Sequence, residues 1–116
     1  MRIRYDWVSD KVWPYISDKE GYKKYCDSER ALELCYWMSG EGSPDSSLVH
    51  DLLSMMAEAV STGSTSTTRG DILMFHVRSD ELEIVHPFSG DGFTYTHQEF
   101  RDEIAKWRQA WRKYRR

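Results

Sequence analysis

At 116 residues the chain has room for one domain with a single modest core. Charged residues make up 30% and aromatics 14%, with five Trp and seven Tyr, a ring content that excludes a disordered segment. The formal net charge is −3, no apolar run nears the roughly 18 residues of a membrane span, and Cys26 and Cys35 are too few for a disulfide framework.

Taken in chain order, "RIRYDWV" at residues 2–8 alternates Ile3, Tyr5 and Trp7 against Arg2, Arg4 and Asp6, the period of a half-buried strand. The opening "MRIRYDWVSDKVW" lacks the apolar core of a secretory signal, so a cytoplasmic protein with free thiols is expected. Residues 9–26 read as a loop with a short helical turn, because Pro14 disfavours helix at Trp13 and Gly21 interrupts a charged stretch. A helix is predicted over 28–39, capped by Ser28 and ended by Gly40, with Ala31, Leu32, Cys35 and Met38 on one face. A bridge from Cys35, inside that helix, to Cys26 before it would need special geometry.

A second helix is predicted over 47–61, capped by Ser46 or Ser47, with Leu48, Val49, Leu52, Met55, Met56, Ala59 and Val60 at spacings of three and four. The stretch "STGSTSTTRG" at 61–70 reads as a mobile loop between a helical half and a β half. Strands are predicted at 71–77, 82–86 and 92–96. For the first two, a loop centred on Asp80 and Glu81 places Arg78 opposite Glu83 and Val77 opposite Ile84. Gly90 and Gly92 supply permissive dihedrals to the following turn.

Thr96-His-Gln-Glu99 has the form of a capping box, so a helix is predicted over 97–115. Phe100, Ile104, Trp107, Trp111 and Tyr114 then form one apolar stripe at spacings of three and four. Acids gather at the start of this helix and cations at its end, each opposing the helix dipole. Residues 101–116 carry seven basic and two acidic side chains, net +5, which leaves net −8 on residues 1–100. The stripe is expected to pack on the sheet and the cationic face to remain in solvent. The main alternative is that Arg108, Arg112, Lys113 and Arg115, interleaved with rings, bind nucleic acid; an anionic membrane surface or a protein partner reading the same face are lesser ones. The net −8 elsewhere repels polyanions and counts against it.

No catalytic signature is present. His50, His76, His86 and His97 fall in no zinc-binding spacing, no G-x-S-x-G elbow frames a serine, and no phosphate loop precedes a helix. Glu29 and Glu33 share a helix face and read as solvated surface. The expectation is therefore no enzyme, no catalytic residues, no cofactor and no metal, with an enzyme whose triad is assembled from distant positions as the third reading after protein binding and nucleic-acid binding. The segment "GDGFTYTHQEFRDEIAKWRQAW", with the form Y-[ST]-x-x-E-F-x-x-x-I-x-x-W, resembles the closing layout of small bacterial α+β proteins over residues 90–111. These include immunity proteins of contact-dependent and other polymorphic toxin systems. The resemblance implies a protein that neutralises a cognate toxin domain by binding it. An acidic surface would speed association with a cationic toxin cleft; the exposed acids Glu41, Asp45, Asp80, Glu81, Glu83 and Asp91 are the candidates. The expected fold is α+β: a small antiparallel sheet against two to three helices, closed by the C-terminal amphipathic helix. Whether the chain is a monomer or a homodimer is open, and no membrane partner is expected.

Overall fold

The computed structural model describes residues 2–17, 19–38, 44–70 and 73–114. The fold is α+β, with two antiparallel sheets and three helices. The first sheet has the order β1-β2-β3, formed by Arg4–Val8, Lys11–Ser17 and Lys23–Tyr25. The second has the order β4-β5-β6-β7, formed by Ser66–Arg69, Met74–Val77, Glu81–Val85 and Gly92–Thr96. Helices α1 (Glu29–Trp37) and α2 (Ser47–Thr62) lie between the sheets in sequence, and α3 (His97–Tyr114) follows the second.

The expectation of a loop over 9–26 is corrected, for these residues supply β2 and β3. A two-residue turn joins β1 to β2, with Ser9 at φ 50° and Asp10 at φ 63°, the left-handed pair that matches hairpin twist. Pro14 sits in the central strand, where a missing N–H ordinarily breaks the ladder. Here its carbonyl accepts from the Cys26 N–H at 3.1 Å, so its backbone faces the β3 side, just past the last β2–β3 pair at Tyr15↔Tyr25. No β1–β2 bond is lost. The first strand therefore pairs with β2, in a sheet separate from the strands at 74–96.

The stretch at 61–70 also departs from expectation. Gly63, at φ 69°, caps α2 by donating to the Ala59 carbonyl, and Ser66–Arg69 then pairs with β5 as an edge strand. An edge strand needs only one neighbour's backbone groups. β-branched Thr67 and Thr68 suit the pleat, and Thr67 Oγ1 lies 3.0 Å from His76 Nδ1.

The β5–β6 hairpin keeps the expected faces but not the expected register. Val77 lies opposite Leu82 and Phe75 opposite Ile84, because the turn holds only Ser79 and Asp80, closed by Arg78 N–H to the Glu81 carbonyl at 2.8 Å. Arg78 still reaches Glu83 at 3.2 Å, along the diagonal. Gly90 has the left-handed φ of 77° that was expected, whereas Gly92 is required for space. A Cβ there would lie 2.7 Å from the Ile84 carbonyl oxygen.

One face of the second sheet, carrying Phe75, Val77, Leu82, Ile84 and Tyr95, is buried. Helix α2, capped by Ser46, packs Val49, Leu52, Met56 and Ala59 inward with β5 as its sheet contact; Val60, assigned to that face from spacing, is instead exposed. Helix α1 is capped by Ser28, whose side chain accepts from Ala31 N–H, and it ends at Trp37; Gly40 lies outside the described residues. α3 opens with the expected capping box. Thr96 N–H donates to Glu99 Oε1 at 2.9 Å, and Glu99 N–H donates to Thr96 Oγ1 at 3.1 Å. Of its predicted stripe, Phe100, Ile104 and Trp107 are buried together with Ala110, Trp111 is half-buried, and the Tyr114 side chain lies outside the described residues; α3 packs on β3 of one sheet, on β6 and β7 of the other, and on α1.

Trp107 is buried, yet its indole N–H has no hydrogen-bond partner. Trp107→Ala should lower stability by about 3–5 kcal/mol through cavity formation. Trp107→Phe should cost much less, because it also removes the unsatisfied donor. Urea unfolding of the two variants checks this order.

Candidate functional site

The first turn of α1, the middle of β7 and the residue before β1 meet at a cleft of about 570 Å³, lined by Ile3, Glu29, Arg30, Glu33, Phe93, Thr94 and Tyr95. Local structure explains each wall. Glu29 and Glu33 are four apart on a helix and so lie one above the other, near 6 Å between Cβ atoms. In β7, Leu82↔Tyr95 and Ile84↔Phe93 pair with β6. The alternate residue Thr94 therefore turns its backbone N–H and carbonyl toward the open edge of the sheet.

Arg30 organises the floor. Its guanidinium lies over the Tyr95 ring, 4.4 Å from the centroid, and reaches Glu99 at 3.3 Å and Glu103 at 3.9 Å on α3. Glu103 is only 5% exposed and also has Lys106 at 3.7 Å and the Ser28 hydroxyl at 3.5 Å. This buried carboxylate is thus surrounded by donors, as a carboxylate in a desolvated position requires. Burial pushes the Tyr95 phenol up, against the pull of Arg30. Edge-to-face contacts Trp37–Phe93 (5.4 Å), Phe93–Tyr95 (5.1 Å) and Tyr95–Phe100 (6.3 Å) run along the wall behind the cleft.

The local charge follows from this pairing. Arg30 is satisfied by acids on α3, whereas Glu29 and Glu33 form no ion pair among the described residues. The cleft therefore presents two uncompensated carboxylates beside an open strand edge, a setting for a cationic side chain on an extended segment. Sequence reading placed both acids on one helix face and took them for solvated surface. Only tertiary structure puts β7 opposite them.

The acids singled out from sequence do not converge. Asp80, Glu81 and Glu83 cluster at one end of the β5–β6 hairpin, where Arg78 pairs with Glu81 at 3.5 Å and with Glu83 at 3.2 Å. Asp91 lies at the opposite end of β6, roughly 13 Å away by strand rise. Asp45, ahead of α2, lies 3.0 Å from Arg108 Nε, an ion-pair distance without hydrogen-bond alignment. Glu41 lies outside the described residues. Of the basic candidates, Arg108 is thus held by Asp45 and Arg112 is exposed; the Lys113 side chain and Arg115 lie outside the described residues.

The remaining chemical groups are scattered. His97 Nε2 bonds the Arg78 carbonyl at 2.7 Å, and His86 packs beside Trp37 and bonds Ser89. His76 lies against Thr67 of β4, whereas His86, just past β6, packs on Trp37 of α1, so the two do not form a pair. Among the described residues no group of three His, Cys, Asp or Glu could hold a metal ion. Cys26 and Cys35 are free and buried beside one another. The Cys35 thiol and burial push Cys26 up, while the Cys26 thiol lowers Cys35. On the first sheet, Asp6 Oδ2 holds Lys23 at 2.6 Å and the Tyr25 hydroxyl at 3.0 Å, and these bonds lower the Asp6 carboxyl. No helix among the described residues is long and apolar enough to cross a membrane. No protein-family model, curated protein or solved structure matches this chain.

The capping bond from Thr96 N–H holds the Glu99 carboxyl below its ordinary value of 4.5. A carboxylate lowered in the folded state contributes stability above its unfolded value and loses it as pH falls through the folded value. The melting temperature should therefore drop as pH falls below about 4.5. In Glu99→Gln, which can still cap but cannot titrate, the fall should be shallower. Melting followed by circular dichroism across the acid range checks this.

Proposed function

We propose that this chain is a stoichiometric protein-binding module without turnover, acting in the cytoplasm as an immunity-type inhibitor of a cationic toxin domain. The observation that carries the reading is the cleft between α1 and β7. Its two carboxylates have no cation of their own, while its arginine is already committed to α3. A basic side chain from a partner would find Glu29 and Glu33 above it and the free Thr94 backbone groups beside it. The net −8 of residues 1–100 supports the same reading, because a long-range negative field accelerates encounter with a positive surface.

The reading of α3 as a nucleic-acid interface is weaker than the sequence suggested. Arg108 is neutralised by Asp45, Lys106 lies beside Glu103, and two rings of the stripe, Phe100 and Trp107, are buried in the core, where they cannot stack on bases.

Affinity capture with the intact chain should recover a basic protein at one-to-one stoichiometry, and co-expression should relieve that protein's toxicity. Glu29→Gln/Glu33→Gln should weaken the complex about ten- to a hundredfold while leaving the melting temperature unchanged. Full affinity in the double variant would remove the cleft from the reading, and a captured protein that proves harmless would remove the immunity role.

A further inference from the structure

β1 is an edge strand, and its outer side carries the largest exposed rings of the first sheet: Trp7 is 67% exposed and Tyr5 55%. The hydrogen-bonding phase of this edge follows from Pro14. Because the Pro14 carbonyl faces Cys26, the Tyr5↔Pro14 pair is one that exchanges no backbone bonds, so the Tyr5 N–H and carbonyl point away from β2. By alternation, the backbone groups of Trp7 point outward as well, and continuing the strand by one residue turns those of Ile3 the same way. The Trp7 N–H confirms this phase, since it is taken by a side chain, Asp6 Oδ1, at 2.9 Å.

An outward row of this kind is a template for another strand. Its own side chains discriminate among antiparallel self-pairings that use the odd-numbered backbone groups. Centring on Asp6 sets Asp6 against Asp6, like charge on like. Centring on Trp7 sets Asp6 against Val8 and Tyr5 against Ser9. Centring on Tyr5 sets Arg4 against Asp6 twice, Tyr5 against Tyr5 and Ile3 against Trp7. Of the three, only this register pairs opposite charges and sets ring against ring or apolar partner over residues 3–7, with Arg2 falling opposite Val8 at the strand ends.

We propose that two copies of this chain pair through β1 in the Tyr5-centred antiparallel register, joining two three-stranded sheets into one of six strands. Tyr5 exchanges both backbone bonds with the partner's Tyr5, and Ile3 does so with the partner's Trp7. The Trp7 N–H exchanges Asp6 Oδ1 for a carbonyl. That releases Oδ1 to the partner's Arg4, while Oδ2 keeps Lys23 and Tyr25. The contact is one short strand pair, so the dimer is weak and concentration-dependent.

Sedimentation velocity of the intact chain from low micromolar to near-millimolar concentration tests this. The wild type should shift from monomer to dimer. Tyr5→Pro removes an N–H that β2 does not use, so it should keep the fold and abolish the dimer. Arg4→Glu sets acid against Asp6 and should weaken the dimer at least about tenfold, with an unchanged melting temperature. If Tyr5→Pro fails to fold, Arg4→Glu decides alone. A wild type that stays monomeric throughout, or a dimer indifferent to Arg4→Glu, overturns the proposal.

Discussion

Burial of one face of α3 is the constraint on which the arrangement of this molecule depends. The two sheets share no strand, and neither has a continuous ladder into the other. α3 touches β3 on one side and β6 and β7 on the other, with Phe100, Ile104, Trp107 and Ala110 filling the space between. Several large side chains fully removed from water contribute roughly 1.5–3 kcal/mol each before entropy is charged. The capping box fixes where this helix starts, so the stripe enters the core in a defined rotation. Moving the start by one residue would turn Trp107 about 100° away, which is why the small Thr96–Glu99 bonds have consequences far along the helix.

The charges on α3 take their meaning from this docking. A cluster of cations at a helix C-terminus invites a reading as an anion-binding surface. In the folded chain two of the helix's cations have short-range partners: Lys106 attends the buried Glu103, and Arg108 attends Asp45 before α2. Such pairs add little stability where they are exposed. Glu103 differs, because a carboxylate that is 5% exposed is costly unless cations and a hydroxyl surround it. Arg30, Lys106 and Ser28 supply that shell, and Arg30 in doing so leaves Glu29 and Glu33 without a compensating charge. The acidity of the cleft is thus a consequence of how α1 is fastened to α3.

All three helices and the β5–β6–β7 meander were legible in sequence, because their signals are local: caps at Ser28, Ser46 and Thr96, and apolar spacings of three and four. What escaped was non-local. Pro14 is a breaker in most strands, and it is tolerated here because its nitrogen faces Cys26, just past the last β2–β3 pair, and not β1. The threonines at 67 and 68 carry no apolar pattern, since an edge strand can be held by backbone groups alone. The observed hairpin register differs by two residues from the one that charge matching favours. A shift of two preserves every side chain's face, so charge and polarity matching cannot separate the alternatives; the short turn at Ser79–Asp80 decides it. The acids chosen from turns were scattered by the fold, whereas Glu29 and Glu33, passed over as solvated helix surface, face a strand fifty residues and more away in the chain. Helical spacing can place two carboxylates together, but it carries no information about what stands across from them.

The β1 edge and the cleft are physically connected through Ile3. This residue lines the cleft, and in the Tyr5-centred pairing it stands opposite the partner's Trp7. A second chain on the edge therefore brings a large indole to the rim of the cavity that holds Glu29 and Glu33. Any occupant of the cleft that touches Ile3 then meets a different surface in the dimer than in the monomer. Linkage is reciprocal, so the factor by which pairing changes affinity for such an occupant is the factor by which the occupant changes pairing. A long basic segment reaching past Ile3 would compete with the indole and dissociate the dimer. A short one stopping at Glu33 would leave that position free, and the indole would close over it. The length of the bound segment, rather than its charge, then sets the sign of the coupling.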